Sequence, residues 1–265
     1  MDPTILLTGQ QPAVASAAGG VREDLSLRLF PESAEQDASK EGPHHGSGHR
    51  ARLRRRLFEG GPDALLEHEL VEYLLALALP RRDTKSLAKK LIRDFGGFGP
   101  LLSADAEAIM RVGGVSESAA AAIRIAQAAA LRLLESKFIG GQVLGSWQAL
   151  LDYLRADMAF MPVERVRVLY LNAKNMLIRN EPLSEGSVDE AAVYAREVIR
   201  RALEYHATAI ILVHNHPSGD PQPSQQDIRL TREIIEAGRI LKIAVHDHVI
   251  VGAKGHASMR AMGLI

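Results

Sequence analysis

Between residues 209 and 227 the chain reads Ala-Ile-Ile-Leu-Val-His-Asn-His-Pro-Ser-Gly-Asp-Pro-Gln-Pro-Ser-Gln-Gln-Asp, and this order of residues allows few folds. The apolar run Ala209 to Val213 has the length and continuity of a strand buried on both faces. It stops at His214 and His216, and the Pro- and Gly-rich stretch that follows must reverse the chain. Ser224 then has the character of a helix N-cap, and Asp227 falls in the first turn of that helix. Along a strand the side chains alternate, so His214 and His216 share a face with roughly 6.5 Å between their positions. That spacing suits one metal ion. A carboxylate in the first turn of the returning helix faces the strand end and supplies a third, oxygen ligand. Three protein ligands leave the fourth tetrahedral position to water, the arrangement of a catalytic zinc site. The chain has no cysteine, so a zinc site here draws on His, Asp, Glu and water alone. Ser224 and Asp227 also form a capping-box pattern, in which serine hydroxyl and carboxylate satisfy backbone N–H groups; this reading stands beside the ligand reading.

The remainder of the chain divides by texture. Residues 1–47, rich in Gly, Pro, Ser, Ala and Gln, carry no sustained period and are expected to be a disordered tail. Residues 48–139 read as a small all-α domain. Its helices are expected over 49–57, over Ala64 to Leu79 with Asp63 as cap and Pro80 as stop, and over Lys85 to Phe95 before Gly96-Gly97. Two more are expected over Ala104 to Val112 with Ser103 as cap, and from Ser116 to about Glu135. After Gly140-Gly141 the pattern turns mixed, and residues 143–265 read as an α/β domain. Here a helix is expected at Trp147 to Ala156, and a hairpin from Val166 to Leu171 and Met176 to Leu183. A helix from Val188 to about Tyr205 follows, boxed by Ser187 and Glu190. After the buried strand come a helix from Gln225 to Leu241 and a last strand from Ala244 to Val251.

Lys plus Arg and Asp plus Glu both number 32, so net charge points to neither nucleic acid nor a membrane surface. No run of about 18 apolar residues exists and the N-terminus lacks a basic secretory region, which leaves a cytoplasmic protein, with no membrane partner, as the expectation.

The spacing His-x-His, seven residues, Ser, two residues, Asp is the JAMM motif of the MPN-domain metallopeptidases. The longer string, followed by Asp247-His248, resembles the bacterial RadC family over about residues 48–265. That resemblance implies a cytidine-deaminase-like, three-layer α/β domain. It also implies one Zn2+ per chain held by His214, His216 and Asp227, a polypeptide substrate, and peptidase or isopeptidase chemistry. In it Ser224 supports the oxyanion or the bound water. A glutamate just before an upstream strand serves as general base, and Glu164 fits. Glu164 shares parity with Val166, Val168 and Tyr170, which puts it on the face that packs against the domain, where desolvation raises a carboxyl pKa. Glu185 and Glu197 are its rivals, and Arg196-Glu197 matches a pair recurrent in RadC-like sequences. His246 and His248 lack a third ligand at a helix start, so Asp247-His248 is read as packing near the site and orienting its ligands.

In the helical region, Val112-Gly113-Gly114-Val115 followed by Ser116 resembles a helix-hairpin-helix DNA-binding unit, although the glycines there are adjacent rather than spaced. Backbone N–H groups at such a turn can cradle a phosphate. Arg50, Arg52, Arg54, Arg55 and Arg56 can add phosphate contacts, or form a solvated helix face. An alternative function follows: a DNA-associated repair accessory protein whose metal domain is structural or weakly active. Metal-assisted phosphodiester cleavage is disfavoured, because no second carboxylate cluster is present for a second metal.

Overall fold

The computed structural model describes residues 47–185 and 193–265, all within one compact unit, His45–Ile265. The expected disordered tail, Ser47 apart, and the expected Ser187–Glu190 box lie outside the described residues. The first part is all-α: α1 (Ser47–Gly60), α2 (Glu67–Ala78), α3 (Lys85–Phe95), α4 (Phe98–Ser103), α5 (Ala106–Arg111) and α6 (Glu117–Glu135). Amphipathic stripes on α2, α3 and α6 close around Val71, Leu75, Leu91, Leu101 and Ile123, all fully buried.

Several boundaries differ from the sequence expectation. Asp63 caps no α-helix. Pro62–Ala64 is a 3-10 turn and α2 starts only at Glu67, where the Glu69 carboxylate accepts the Leu66 N–H (2.9 Å). The cap of α5 is Asp105, which accepts the Ala108 N–H at 2.6 Å, while Ser103 is buried as the last residue of α4. Helix α4 was not anticipated. Its Gly97-Phe-Gly-Pro100 start reads as a turn, yet a proline in a first helical turn gives up only an N–H without an intrahelical partner. Ser116 does cap α6, accepting the Ala119 N–H.

Two of the five arginines of α1 serve the fold. Arg50 donates to the carbonyls of Leu79, Pro80 and Arg82 beyond the C-terminal end of α2. Arg56 pairs with Glu69 at 2.8 Å. Arg52, Arg54 and Arg55 are exposed.

The second part is mixed α/β: α7 (Trp147–Met158), β1 (Arg165–Leu171), β2 (Leu177–Glu185), α8 (Ala195–Glu204), β3 (Ala209–Asn215), α9 (Gln225–Ile240), β4 (Ala244–Gly252) and β5 (Gly255–Ser258). The sheet order is β2-β1-β3-β4-β5, with β3 and β4 parallel and the other neighbours antiparallel. The short strand β5 was not anticipated, and α8 starts later than expected, at Ala195 after an extended Tyr194. Alternation on the central strand divides the core. Ala209, Ile211 and Val213 face α7 with Leu150 and Leu154, while Ile210 and Leu212 face α8 and α9 with Val198 and Ile234. The sheet is thus covered on both faces, as a buried parallel pair requires. No helix of the described residues is long and apolar enough to cross a membrane.

Candidate metal centre

The parity that puts Ile210 and Leu212 on the α8/α9 side continues to His214 and His216. Both imidazoles therefore leave the end of β3 toward the start of α9. The strand pairing is carried past the last β3 residue by His216 N–H, which donates to the Val251 carbonyl at 2.9 Å. The loop then turns at Gly219, whose φ of +80° is left-handed and whose carbonyl accepts the Lys254 N–H at 3.0 Å. Gly252 lies against it so closely that a Cβ there would sit 2.5 Å from the Gly219 oxygen. At the helix start the reciprocal box forms: Asp227 N–H donates to Ser224 Oγ (3.1 Å), and Ser224 N–H donates to Asp227 Oδ2 (2.7 Å). Capping and convergence on the histidines are compatible, because Oδ1 of Asp227 lies 3.5 Å from His214 Nε2 and Oδ2 lies 3.6 Å from His216 Nε2. Ligand atoms of His214, His216 and Asp227 all fall within 4.8 Å of one another.

Hydrogen bonds fix which ring nitrogens face the centre. His216 Nδ1 sits 2.8 Å from the Asp220 carbonyl, which only accepts, so Nδ1 carries the proton and the neutral ring presents the lone pair of Nε2. His214 is fixed by a longer chain. The Thr231 hydroxyl donates to the Asp227 carbonyl (2.5 Å), so His248 Nδ1–H donates to Thr231 Oγ1 (2.6 Å). His248 Nε2 then accepts from His214 Nδ1–H (2.8 Å). The two Nε2 lone pairs face each other at 2.9 Å with a carboxylate beside them. Such a cluster of acceptors fits a bound cation, and a neutral-histidine and carboxylate set without sulfur suits zinc.

The protonation balance agrees for His214 and Asp227, while at His216 the carboxylate favours a proton that a cation would have to displace. Burial pushes His214 down to about 4, so it is a neutral donor at pH 7. His216 is pulled up by its bond to Asp227, with burial opposing. Asp227 is held well below the usual carboxylate range: burial raises it, but the His216 bond, the His214 charge and the two Ser224 bonds outweigh that. His248, wholly enclosed, is driven well below the ordinary histidine value by burial.

The centre opens into a cleft of about 440 Å³ whose lining includes Val166, Leu212, Leu230, Ser224 and Glu164. Glu164 immediately precedes β1. Glu164 is exposed rather than packed against the domain, because it stands at the open end of β1, yet partial burial against the cleft wall still raises its carboxyl from the ordinary value, with Asp227 adding and His216 opposing. The rival Glu197 is not a lining residue; it bonds Arg200 at 3.1 Å on the outer face of α8, and Arg196 stacks over Tyr194. The Glu185 side chain lies outside the described residues.

His248 touches His214, as expected of an orienting partner, and Asp247 serves packing. The Asp247 carboxylate accepts the Arg260 N–H (2.9 Å) and the Ser258 hydroxyl, closing the chain after β5. His246, set off by a bulge in the β3–β4 register, bonds Asn175 at 2.7 Å and takes no part in the centre. Thr231 and Asn215 were not singled out in the sequence. Thr231 follows Asp227 by four residues, a spacing that puts both on one helix face and that the pattern alone could have flagged.

Comparison with known proteins assigns a class to this constellation. Residues 144–264 match the model of the RadC-like JAB domain. A UPF0758 protein of Rhodobacter capsulatus is 48% identical over 213 residues, which span 80% of this chain and 100% of that relative. The chain belongs to the RadC/UPF0758 family and carries a JAB/MPN-type domain.

Proposed function

We propose that residues 143–265 form a cytidine-deaminase-like JAMM/MPN metallopeptidase or isopeptidase domain, with one zinc ion held by His214, His216 and Asp227. The observation that carries this reading is the pair of opposed Nε2 lone pairs beside the Asp227 carboxylate, in a cleft that Glu164 also lines. When bound, the metal supplies the Lewis acidity that makes water nucleophilic near neutral pH and polarises a carbonyl. Glu164 takes the proton released at attack and returns it to the departing amine, and its raised pKa suits both tasks. Ser224 Oγ accepts the Asp227 N–H, and its hydroxyl proton, drawn toward the Asp227 carboxylate in the metal-free centre, turns to donate toward oxygen charge developing on the substrate when that carboxylate holds the metal. Val166, Leu212 and Leu230 give the cleft an apolar patch beside the reacting groups. A polypeptide substrate and a cytoplasmic setting belong to the same reading.

Family membership and the chelating triad by themselves better support a second reading, because neither requires turnover. In it the protein is a DNA-associated accessory factor and the metal staples α9 to β3, structurally or with weak activity. The reciprocal Ser224–Asp227 cap favours it: the third ligand already has a structural task. The Gly113-Gly114 turn, read as helix-hairpin-helix, together with Arg52, Arg54 and Arg55, would then meet phosphates.

One comparison separates the two. The zinc-loaded full chain and Glu164→Gln are assayed on a fluorogenic peptide and isopeptide panel and for duplex DNA binding across a salt series. The hydrolase reading expects both proteins to keep one zinc, with the variant about 10²–10⁴-fold slower. Absence of cleavage by the parent, together with DNA affinity that falls steeply with salt, overturns it in favour of the second.

A further inference from the structure

The antiparallel ladder between β1 and β3 ends at Val166↔His214, one step short of Arg165 and two short of Glu164. Arg165 still pairs with Glu185 of β2, but on the β3 side the ladder has ended and Asn215 pairs only with Val251 of β4, so the backbone around Glu164 has no strand partner on that side. The Asn215 side chain takes the partner's place. Its Oδ1 accepts the Arg165 N–H at 2.8 Å, and its Nδ2 donates to the carbonyls of Val163 (3.1 Å) and, more weakly, Met161 (3.5 Å). Parity explains the geometry: Asn215 points to the sheet face opposite the two histidines, where it is 0% exposed and the 161–165 segment crosses the strand end.

We propose that Asn215, the middle residue of His214-Asn-His216, is a positioning residue that holds Glu164 over the cleft. The bonds to Val163 and Arg165 bracket the single residue between them. Among the described residues the Glu164 carboxylate has no hydrogen-bond or ion-pair partner of its own. The acid is therefore aimed from its backbone, and Asn215 supplies the aim. An amide suits this task as few side chains can. It presents an acceptor to an N–H and a donor to carbonyls within one rigid plane, whereas aspartate lacks the donor and serine is too short to span both sides. The same residue lies between the two histidines, so one strand end sets the centre on one face and the proton carrier through the other. Displacement of about 1 Å is enough to cost a positioned group much of its effect.

This inference rests on Glu164 acting as proton carrier, but its test does not use turnover, so the two fail separately. The zinc-loaded full chain is compared with Asn215→Ala and with Asn215→Asp, which fills the same volume and keeps only the acceptor toward Arg165. In Asn215→Ala the Arg165 amide should exchange about tenfold faster, the factor carried by one ordinary hydrogen bond. The Ile211 and Leu212 amides should not change. The Glu164 carboxyl resonance, followed by carbon NMR, should move away from its position in the parent, while zinc stays at one per chain. Asn215→Asp should keep the Arg165 amide protected, while the loss of the donor to the Val163 carbonyl still moves the Glu164 resonance. Faster Arg165 exchange with an unmoved Glu164 resonance would make Asn215 merely structural and overturn the proposal. So would loss of zinc, which would assign Asn215 to the ligands, or failure of both variants to fold, which would assign it to the strand.

Discussion

The turn between α5 and α6 and the loop between β3 and α9 use the same materials to different ends. Each passes through a glycine in the left-handed region, Gly114 at φ +96° and Gly219 at φ +80°. Each enters a helix through a serine that accepts the N–H three residues on. At the first turn that third residue is Ala119, the residue before the cap is Val115, and the Gly114 carbonyl accepts from Arg82 at 2.8 Å. At the second, the third residue is Asp227 and a strand end delivers two histidines beside it. A capped helix start thus becomes a candidate site when its first turn carries a donor and a neighbouring element brings more. Capping by itself satisfies the helix and nothing else.

The sharpest way to break this contrast is Asp227→Asn. An amide oxygen still accepts the Ser224 N–H, so the cap survives, while the charged ligand is lost. Zinc affinity, measured by chelator competition, should fall by more than the roughly 10–100-fold that outer partners are worth. Thermal stability of the metal-free chain should change by no more than the ~1 kcal/mol of a cap. Parent-like zinc affinity would reduce Asp227 to the status of Ala119, a residue of the cap alone.

Next in size is the chain of hydrogen bonds behind His214. Thr231→Val deletes the hydroxyl that orders His248, and His248→Ala deletes the acceptor for His214 Nδ1–H. Each should weaken zinc by about 10–100-fold through loss of ring orientation. Equal affinities in parent and variants would show that β3 alone aims the imidazole.

These residues also mark how far the sequence can be read. The convergence of His214, His216 and Asp227 was legible because its cues are local: strand alternation for the histidines and cap spacing for Asp227. Partners brought by the fold were less so. His248 reaches His214 from the neighbouring parallel strand, and Asn215 meets Val163 and Arg165 across 52 and 50 residues. The sequence makes Arg50 and Arg56 resemble phosphate contacts because it does not reveal that the Leu79, Pro80 and Arg82 carbonyls, or Glu69, lie within their reach. Helix α4 and strand β5 escaped for a simpler reason: each is short, and glycine or proline marks its start as a turn.

Acidity offers a finer test of the centre. Zinc competes with protons for the His216 lone pair, and Asp227 holds that ring's pKa above 6.5. Zinc affinity should therefore begin to fall as pH drops through a value raised from that of an ordinary histidine. Below it the loss should be about tenfold per unit, the slope of one proton. His214, at about 4, adds a second proton only far lower. A two-proton slope between about pH 5 and 6 would mean that His214 is not kept neutral by burial.

The smallest effect at the metal is expected from the other turn. Gly114→Ala sets an L-residue at a positive φ, at a cost of about 1–2 kcal/mol. The new Cβ would also lie 3.0 Å from Arg82 Nη2, the mobile end of a side chain that can shift aside. Denaturant unfolding should register that loss, while zinc affinity stays within about twofold because no hydrogen bond of the centre passes through α5 or α6. A fall in zinc affinity matching the fall in stability would show that the helical part helps hold the β3–α9 loop in place. In that case the two turns, so alike in composition, would be parts of one device.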